Sequence, residues 1–214
     1  MEIKTIYHGS GVVVEKPDIS KSRPDTDYGI GFYCTEDENL AKEWACNEGH
    51  SGYSNRYEID ISMLHILNLN SDGYSPLNWI ALLLKNRSFR IRAPIQRRGI
   101  RWLLNNCLID IAEYDVIIGH RADDSYTAIV EMFLMNTITI EQLTRALNLG
   151  DWGDQFVLKS PKAYGAIRFM DAVPADHTYY YPKRKRRDEN ARLRFLNMLD
   201  ETDINGTYLK DIIS

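Results

Sequence analysis

The residues of this chain best suited to chemistry by type and spacing begin with two flat rings. Asp27-Tyr28-Gly29-Ile30-Gly31-Phe32-Tyr33-Cys34-Thr35 is followed by a helix-like stretch that carries Trp44. Gly29 and Gly31 permit a tight turn or a close approach of backbone to a ligand. Phe32 and Tyr33 then open a short aromatic strand. Thr35 is placed to cap the following helix, with Glu38 as the reciprocal half of a capping box. On that helix Leu40, Ala41 and Trp44 share a face. Tyr33 closes a strand and Trp44 sits along the next helix, so both rings are able to converge on one cleft. The plainer alternative is that the glycines make a turn and both rings are core.

A second group stands near the start. Glu2-Ile3-Lys4-Thr5-Ile6-Tyr7-His8 reads as a strand, broken by Gly9-Ser10-Gly11. There an imidazole, a hydroxyl and backbone N–H groups fall in a small space, unless His8 is simply an edge residue beside a turn. Arg23 stands among acids, as a phosphate-binding arginine or a surface ion pair. Glu113 to Gly119 is a buried strand that opens into Ala122-Asp123-Asp124. The two aspartates suit an active-site rim, and equally a helix cap before Ser125.

Several elements must position these groups. Val12 to Val14 reads as a short strand ended by Pro17, and strands follow at 55–60 and 66–69. Residues 76–87 and 94–108 read as helices, with Trp79 and Trp102 in the core and Pro76 in a first turn. A helix over 125–136 is followed by one capped by Thr139. Strand 153–160 leads into a short helix from Pro161, then a last strand over 167–170. After Pro174 comes the basic run Lys183-Arg184-Lys185-Arg186-Arg187, and a helical pattern resumes at Asp188. The run is either a solvated face or a contact for nucleic acid or an acidic partner. This order of short strands and small helices indicates α+β.

Composition narrows the class. The 214 residues suit one domain with an appendage, divided as 1–173 and 174–214. A hydrophobic content of 44% and charged content of 26% are those of a soluble protein, and a net charge of −4 gives no global nucleic-acid signature. Cys34, Cys46 and Cys107 form no C-x-x-C pair and read as reduced thiols of a cytoplasmic protein. No apolar run is long enough for a signal peptide or a membrane span, so no membrane partner is expected.

The motifs resemble a known superfamily. Tyr7-His8-Gly9-Ser10 looks like the first NAD-binding motif of the ADP-ribosyltransferases, in their diphtheria-toxin-like H-Y-E branch. Tyr33 with Trp44 looks like the second, in which two aromatics, usually tyrosines, sandwich the nicotinamide. More closely, the chain is similar to a bacterial family of unknown function, DUF3990. The shared features are the Tyr7-His8-Gly9 start, Arg23 with Asp27 to Thr35, Trp44-Ala45, Ala122-Asp123-Asp124 and Gln155 to Ser160. The likeness covers roughly residues 1–170 and leaves the basic tail outside.

That resemblance implies a split β-sandwich with peripheral helices and a mono-ADP-ribosyltransferase using NAD. It further implies a toxin of a bacterial conflict system, often encoded beside a small antitoxin. His8 and Ser10 would then hold ribose, Gly9 the nicotinamide amide, and Arg23 the pyrophosphate. Tyr7, Gly31 and Thr35 complete the binding motifs, and no metal is called for. The branch's third motif is a glutamate, and here Gln155 stands in its place. An amide accepts the same hydrogen bond without net charge, and loss of such a partner costs on the order of 10²–10³ in rate. Asp123 or Asp124 is then the candidate carboxylate. The competing expectations are a degenerate module that binds NAD or nucleic acid without transfer, and an NAD glycohydrolase.

Overall fold

A computed structural model describes residues 1–121, 124–147, 149, 153–199 and 205–214, with backbone alone at 124 and 125. Among the described residues seven strands make two sheets. β1 (Ile3–Ser10), β3 (Gly52–Asp60) and β7 (Ile167–Ala175) form an antiparallel sheet in the order β1-β3-β7. β2 (Phe32–Cys34), β6 (Asp154–Leu158), β5 (Val116–His120) and β4 (Ile66–Asn68) form the second, in the order β2-β6-β5-β4. Among the described residues only β4 and β5 run parallel. Eight α-helices accompany them among the described residues: α1 (Glu38–Ala45), α2 (Pro76–Asn86), α3 (Pro94–Asn106), α4 (Asp124–Leu134), α5 (Ile140–Ala146), α6 (Pro161–Ala166), α7 (His177–Leu199) and α8 (Leu209–Ile212). The architecture is mixed, as α+β requires. Among the described residues no helix is long and apolar enough to cross a membrane.

Alternation along the strands splits the second sheet between two cores. Phe32, Cys34, Val116, Phe156 and Leu158 meet Ile6, Tyr57 and Ile59 of the first sheet. Leu67, Ile117 and Val157 face a helical layer that includes Trp79, Leu83, Leu103, Val130 and Phe133. Burial on both faces explains why β5 and β6 read as apolar runs rather than alternating ones. The sheets are stitched where β1 passes the end of β2. Tyr7 N–H donates to Thr35 O at 2.7 Å and Thr35 N–H donates to Tyr7 O at 2.9 Å.

Several elements depart from the sequence reading. β1 continues through Ser10, because Asn55 on β3 donates to His8 O at 3.0 Å and to Ser10 Oγ at 3.0 Å. Val12 to Val14 is not a strand. Its backbone is tied down by side chains instead: Val14 N–H donates to Asn55 Oδ1 at 2.8 Å and Tyr57 Oη donates to Val14 O. The cap of α1 is Asp37, which accepts from Asn39 N–H and Leu40 N–H, and Thr35 is left to the stitch. β7 runs on to Ala175 and tolerates Pro174 because it is an edge strand. α7 begins at His177, so the basic run lies inside a helix.

That helix braces α1. Arg187 donates Nε to Glu43 Oε2 at 3.0 Å and Nη2 to Glu43 Oε1 at 2.9 Å, and Glu43 is buried. Arg184 donates to Cys46 O at 3.3 Å, at the C-terminal end of the same helix. Further along, Phe195 and Met198 enter the helical core. Removing one partner of a buried pair leaves an uncompensated charge. Arg187→Ala should therefore lower the urea unfolding free energy by about 3 kcal/mol, and adding Glu43→Gln should recover most of that loss.

Candidate functional site

The loop before β2 is built by donors that converge on its carbonyls. Asp27 is buried and paired with Arg87 at 2.7 Å. Gly29 adopts φ +70°, a left-handed conformation that favours glycine. Tyr33 Oη donates to Gly29 O at 2.6 Å and accepts from Tyr28 N–H at 3.1 Å. Lys159 Nζ donates to Tyr28 O at 2.5 Å and also to Ile30 O. Ser22 Oγ donates to Gly31 O. Every carbonyl from 28 to 31 thus has a donor. Burial pulls the Lys159 ammonium down to about 8 and pushes the Tyr33 phenol well up. The Tyr33 hydroxyl is therefore committed to the loop, and its ring is what it offers to a cleft.

His8 meets that loop from β1. Its Nδ1 lies 2.7 Å from Tyr33 O. A carbonyl only accepts, so Nδ1 carries the hydrogen and Nε2 is left as a bare acceptor. The ring packs on Phe32 with centroids 4.4 Å apart. Burial pulls its pKa below the ordinary 6.5, against the opposing pull of the Tyr33 hydrogen bond. His8 and Tyr33 share one cleft of about 450 Å³, with Thr26 in its wall and Lys16, Lys21 and Arg23 also lining it. Glu15 and Asp18 line it too, but Asp18 is occupied in capping the 3₁₀ turn Ile19–Lys21. A neutral acceptor and three cations together suit a ligand that carries hydroxyls and phosphates.

Gly9 follows His8. Ladder alternation turns its N–H and C=O to the edge used by Tyr7, away from β3. A Cβ at Gly9 would lie 2.0 Å from Ala41 O, so only glycine allows α1 this close. Gly31 is likewise set by packing, since a Cβ there would lie 2.8 Å from Val157 Cγ1.

Gln155 lies on β6 opposite Gly119 and lines a separate cavity of about 320 Å³ with Thr35, Asp37 and Leu40. It is buried, and its Oε1 has no hydrogen-bond partner among the described residues. Leaving such an oxygen unpaired costs about 1–3 kcal/mol, so an acceptor held open in a cavity points to a ligand donor.

The remaining expected residues are placed as follows. Ser10 donates to Val12 O at 2.6 Å and accepts from Asn55, which engages its hydroxyl in the turn. Trp44 does not line the cleft of His8 and Tyr33. The Arg121 guanidinium stands 4.1 Å over its ring, and Trp44 Nε1 is buried without a partner among the described residues. Asp123 and the side chain of Asp124 lie outside the described residues. Sequence reasoning overlooked Lys16, Lys21 and Lys159. The first two were signalled by a clustering of cations with Arg23. Lys159 gave no signal, because its two acceptors lie about 130 positions away.

Residues 4–169 match the family model described as "Protein of unknown function (DUF3990)". No curated protein and no solved structure matches the chain.

The imidazole state has a measurable consequence. With its pKa lowered, His8 contributes stability that is complete above pH 6.5 and is lost as pH falls below it through the folded value. Long-range ¹H–¹⁵N spectra should show the neutral Nδ1–H tautomer persisting below pH 6.5. A His8 signal that is already half protonated at or above that pH would remove the bare acceptor.

Proposed function

The chain belongs to the DUF3990 family, and we propose that it is an NAD-dependent mono-ADP-ribosyltransferase, the toxin of a bacterial conflict system. The observation that carries this reading is the Nδ1–carbonyl bond from His8 to Tyr33, which brings two sequence-distant motifs into one cleft with three cations. Two sheets joined at Tyr7 and Thr35 support reading the α+β architecture as the split β-sandwich of that superfamily.

The residues present suit NAD as substrate. His8 Nε2 accepts from a ribose hydroxyl. The edge amide and carbonyl of Gly9 suit a carboxamide, and Lys16, Lys21 and Arg23 suit pyrophosphate charge. Tyr33 supplies a flat wall. Trp44, expected as the second flat wall, stands outside the cleft of His8 and Tyr33 with the Arg121 guanidinium over its ring. In the reaction the bond from nicotinamide nitrogen to ribose C1′ breaks. Its electron pair leaves with the ring, and nicotinamide departs neutral. An acceptor attacks C1′ and its proton passes to solvent. Positive charge builds on the ribose, so the transition state gains most from a nearby negative group. Gln155 lies in the separate cavity that Thr35 lines, and toward that centre it would offer an oxygen but no charge.

That substitution favours a second reading, in which NAD is bound and turned over slowly or not at all. Calorimetry with NAD, followed by an assay of nicotinamide release, separates the two. His8→Ala and Tyr33→Ala should each abolish heat on NAD addition while leaving the urea transition cooperative. An unchanged NAD isotherm in both variants would exclude the cleft. Gln155→Glu restores a carboxylate and should raise nicotinamide release by on the order of 10²-fold. Free ADP-ribose without a labelled acceptor would mark hydrolysis instead of transfer.

A further inference from the structure

A second groove, of about 560 Å³, lies between α1 and α7 and is markedly polar. Its α7 wall is Lys183, Arg186, Arg187, Asn190 and Arg194. These positions fall at i, i+3, i+4, i+7 and i+11, which is a single face of a helix. They span about 16 Å and recur at about 5.4 Å per turn. The α1 wall is Asp37, Asn39 and Glu43. Both acids are already engaged. Glu43 holds Arg187 in a bidentate pair, and Asp37 caps α1. The field left in the groove is positive. Just beyond one end stands Tyr179, 56% exposed, with Lys183 Nζ 4.2 Å over its ring. At the other wall Asp37 also lines the cavity of Gln155, so the groove and that cavity adjoin.

We propose that this groove binds the backbone of a single-stranded nucleic acid and delivers it toward the Gln155 cavity. Lys183, Arg186 and Arg194, with the amide of Asn190 between them, lay donors along one helix face and suit a chain of phosphates, and an exposed aromatic suits an unpaired base. A phosphopeptide would need one concentrated cluster of cations, and a duplex would leave Tyr179 without a base to stack on. As an acceptor track the groove rests on the transferase reading. As a binding surface it stands without it.

The test is fluorescence anisotropy of the full chain, without NAD, using labelled oligo-dT and oligo-rU of about 15 nucleotides. Both strands should bind with a steep salt dependence, and a preference between them names the sugar. Lys183→Glu with Arg186→Glu should weaken binding roughly tenfold or more and reduce the slope of log K against log salt by about 1.4. Neither residue is a member of the Glu43–Arg187 pair, so the urea transition should stay cooperative. Tyr179→Ala should weaken binding with the slope intact. Arg98→Glu on α3, among exposed arginines outside the groove, should leave affinity nearly unchanged. Three outcomes overturn the proposal: no binding at low salt, duplex or phosphopeptide bound as well as single strands, or Arg98→Glu costing as much as the groove variants. Because NAD is absent, failure here leaves the transferase reading untouched. Binding here combined with no nicotinamide release would sink that reading alone.

Discussion

Two backbone hydrogen bonds, exchanged between Tyr7 and Thr35, fix everything in the candidate site relative to everything else. β1 belongs to one sheet and β2 to the other, and among the described residues their strands otherwise meet through side chains. The exchange sets a register. With Tyr7 facing Thr35, the next residue of β1 falls beside the carbonyl of Tyr33, which is where His8 Nδ1 is found. A slip of one residue would reverse the alternation and turn the imidazole away. The same parity turns the Gly9 amide away from β3. Sequence proximity had no part in assembling these groups.

The distribution of satisfied and unsatisfied polar groups then separates scaffold from site. The loop at 26–31 looks, by composition, like the part most open to a ligand. Its carbonyls are instead filled by Lys159, Tyr33 and Ser22. Such a loop is rigid and presents only a ring. The open valences lie elsewhere: Nε2 of His8, and Oε1 of Gln155. Buried polar atoms in folded proteins are rarely left unpaired; Gln155 Oε1 is one of several such atoms among the described residues, and because it lines a cavity it says more about a ligand than the glycines do.

Much of this was legible in the sequence where the cause is local. Pro76 and Pro161 start helices as expected, and Thr139 caps α5 with Gln142 as its reciprocal partner. The apolar runs of β5 and β6 were equally plain. What escaped notice depends on distant partners. Val12 to Val14 has the residues of a strand, but Asn55 and Tyr57 occupy its backbone. Thr35 has the chemistry of a cap, but its hydroxyl accepts from Asp37 N–H, ahead of the first turn, and Asp37 takes the role. β7 passes through Pro174 because no strand lies outside it, and nothing in residues 167–175 announces that they form an edge.

The basic run shows the same limit in a sharper form. As a string, Lys183 to Arg187 is uniform, and a net charge of −4 gives no global nucleic-acid signature. Folding breaks that uniformity. The helical period sends Arg184 and Arg187 inward to Cys46 O and Glu43, while Lys183 and Arg186 stay on the groove. One short segment therefore does two jobs, holding the helix that carries Trp44 and charging the surface beside it. Net charge says little about either, because screening confines each surface charge to about 8 Å at physiological salt. Within that distance the groove has Glu43 paired with Arg187 and more cations than acids in its walls, so its local charge is opposite in sign to that of the whole chain.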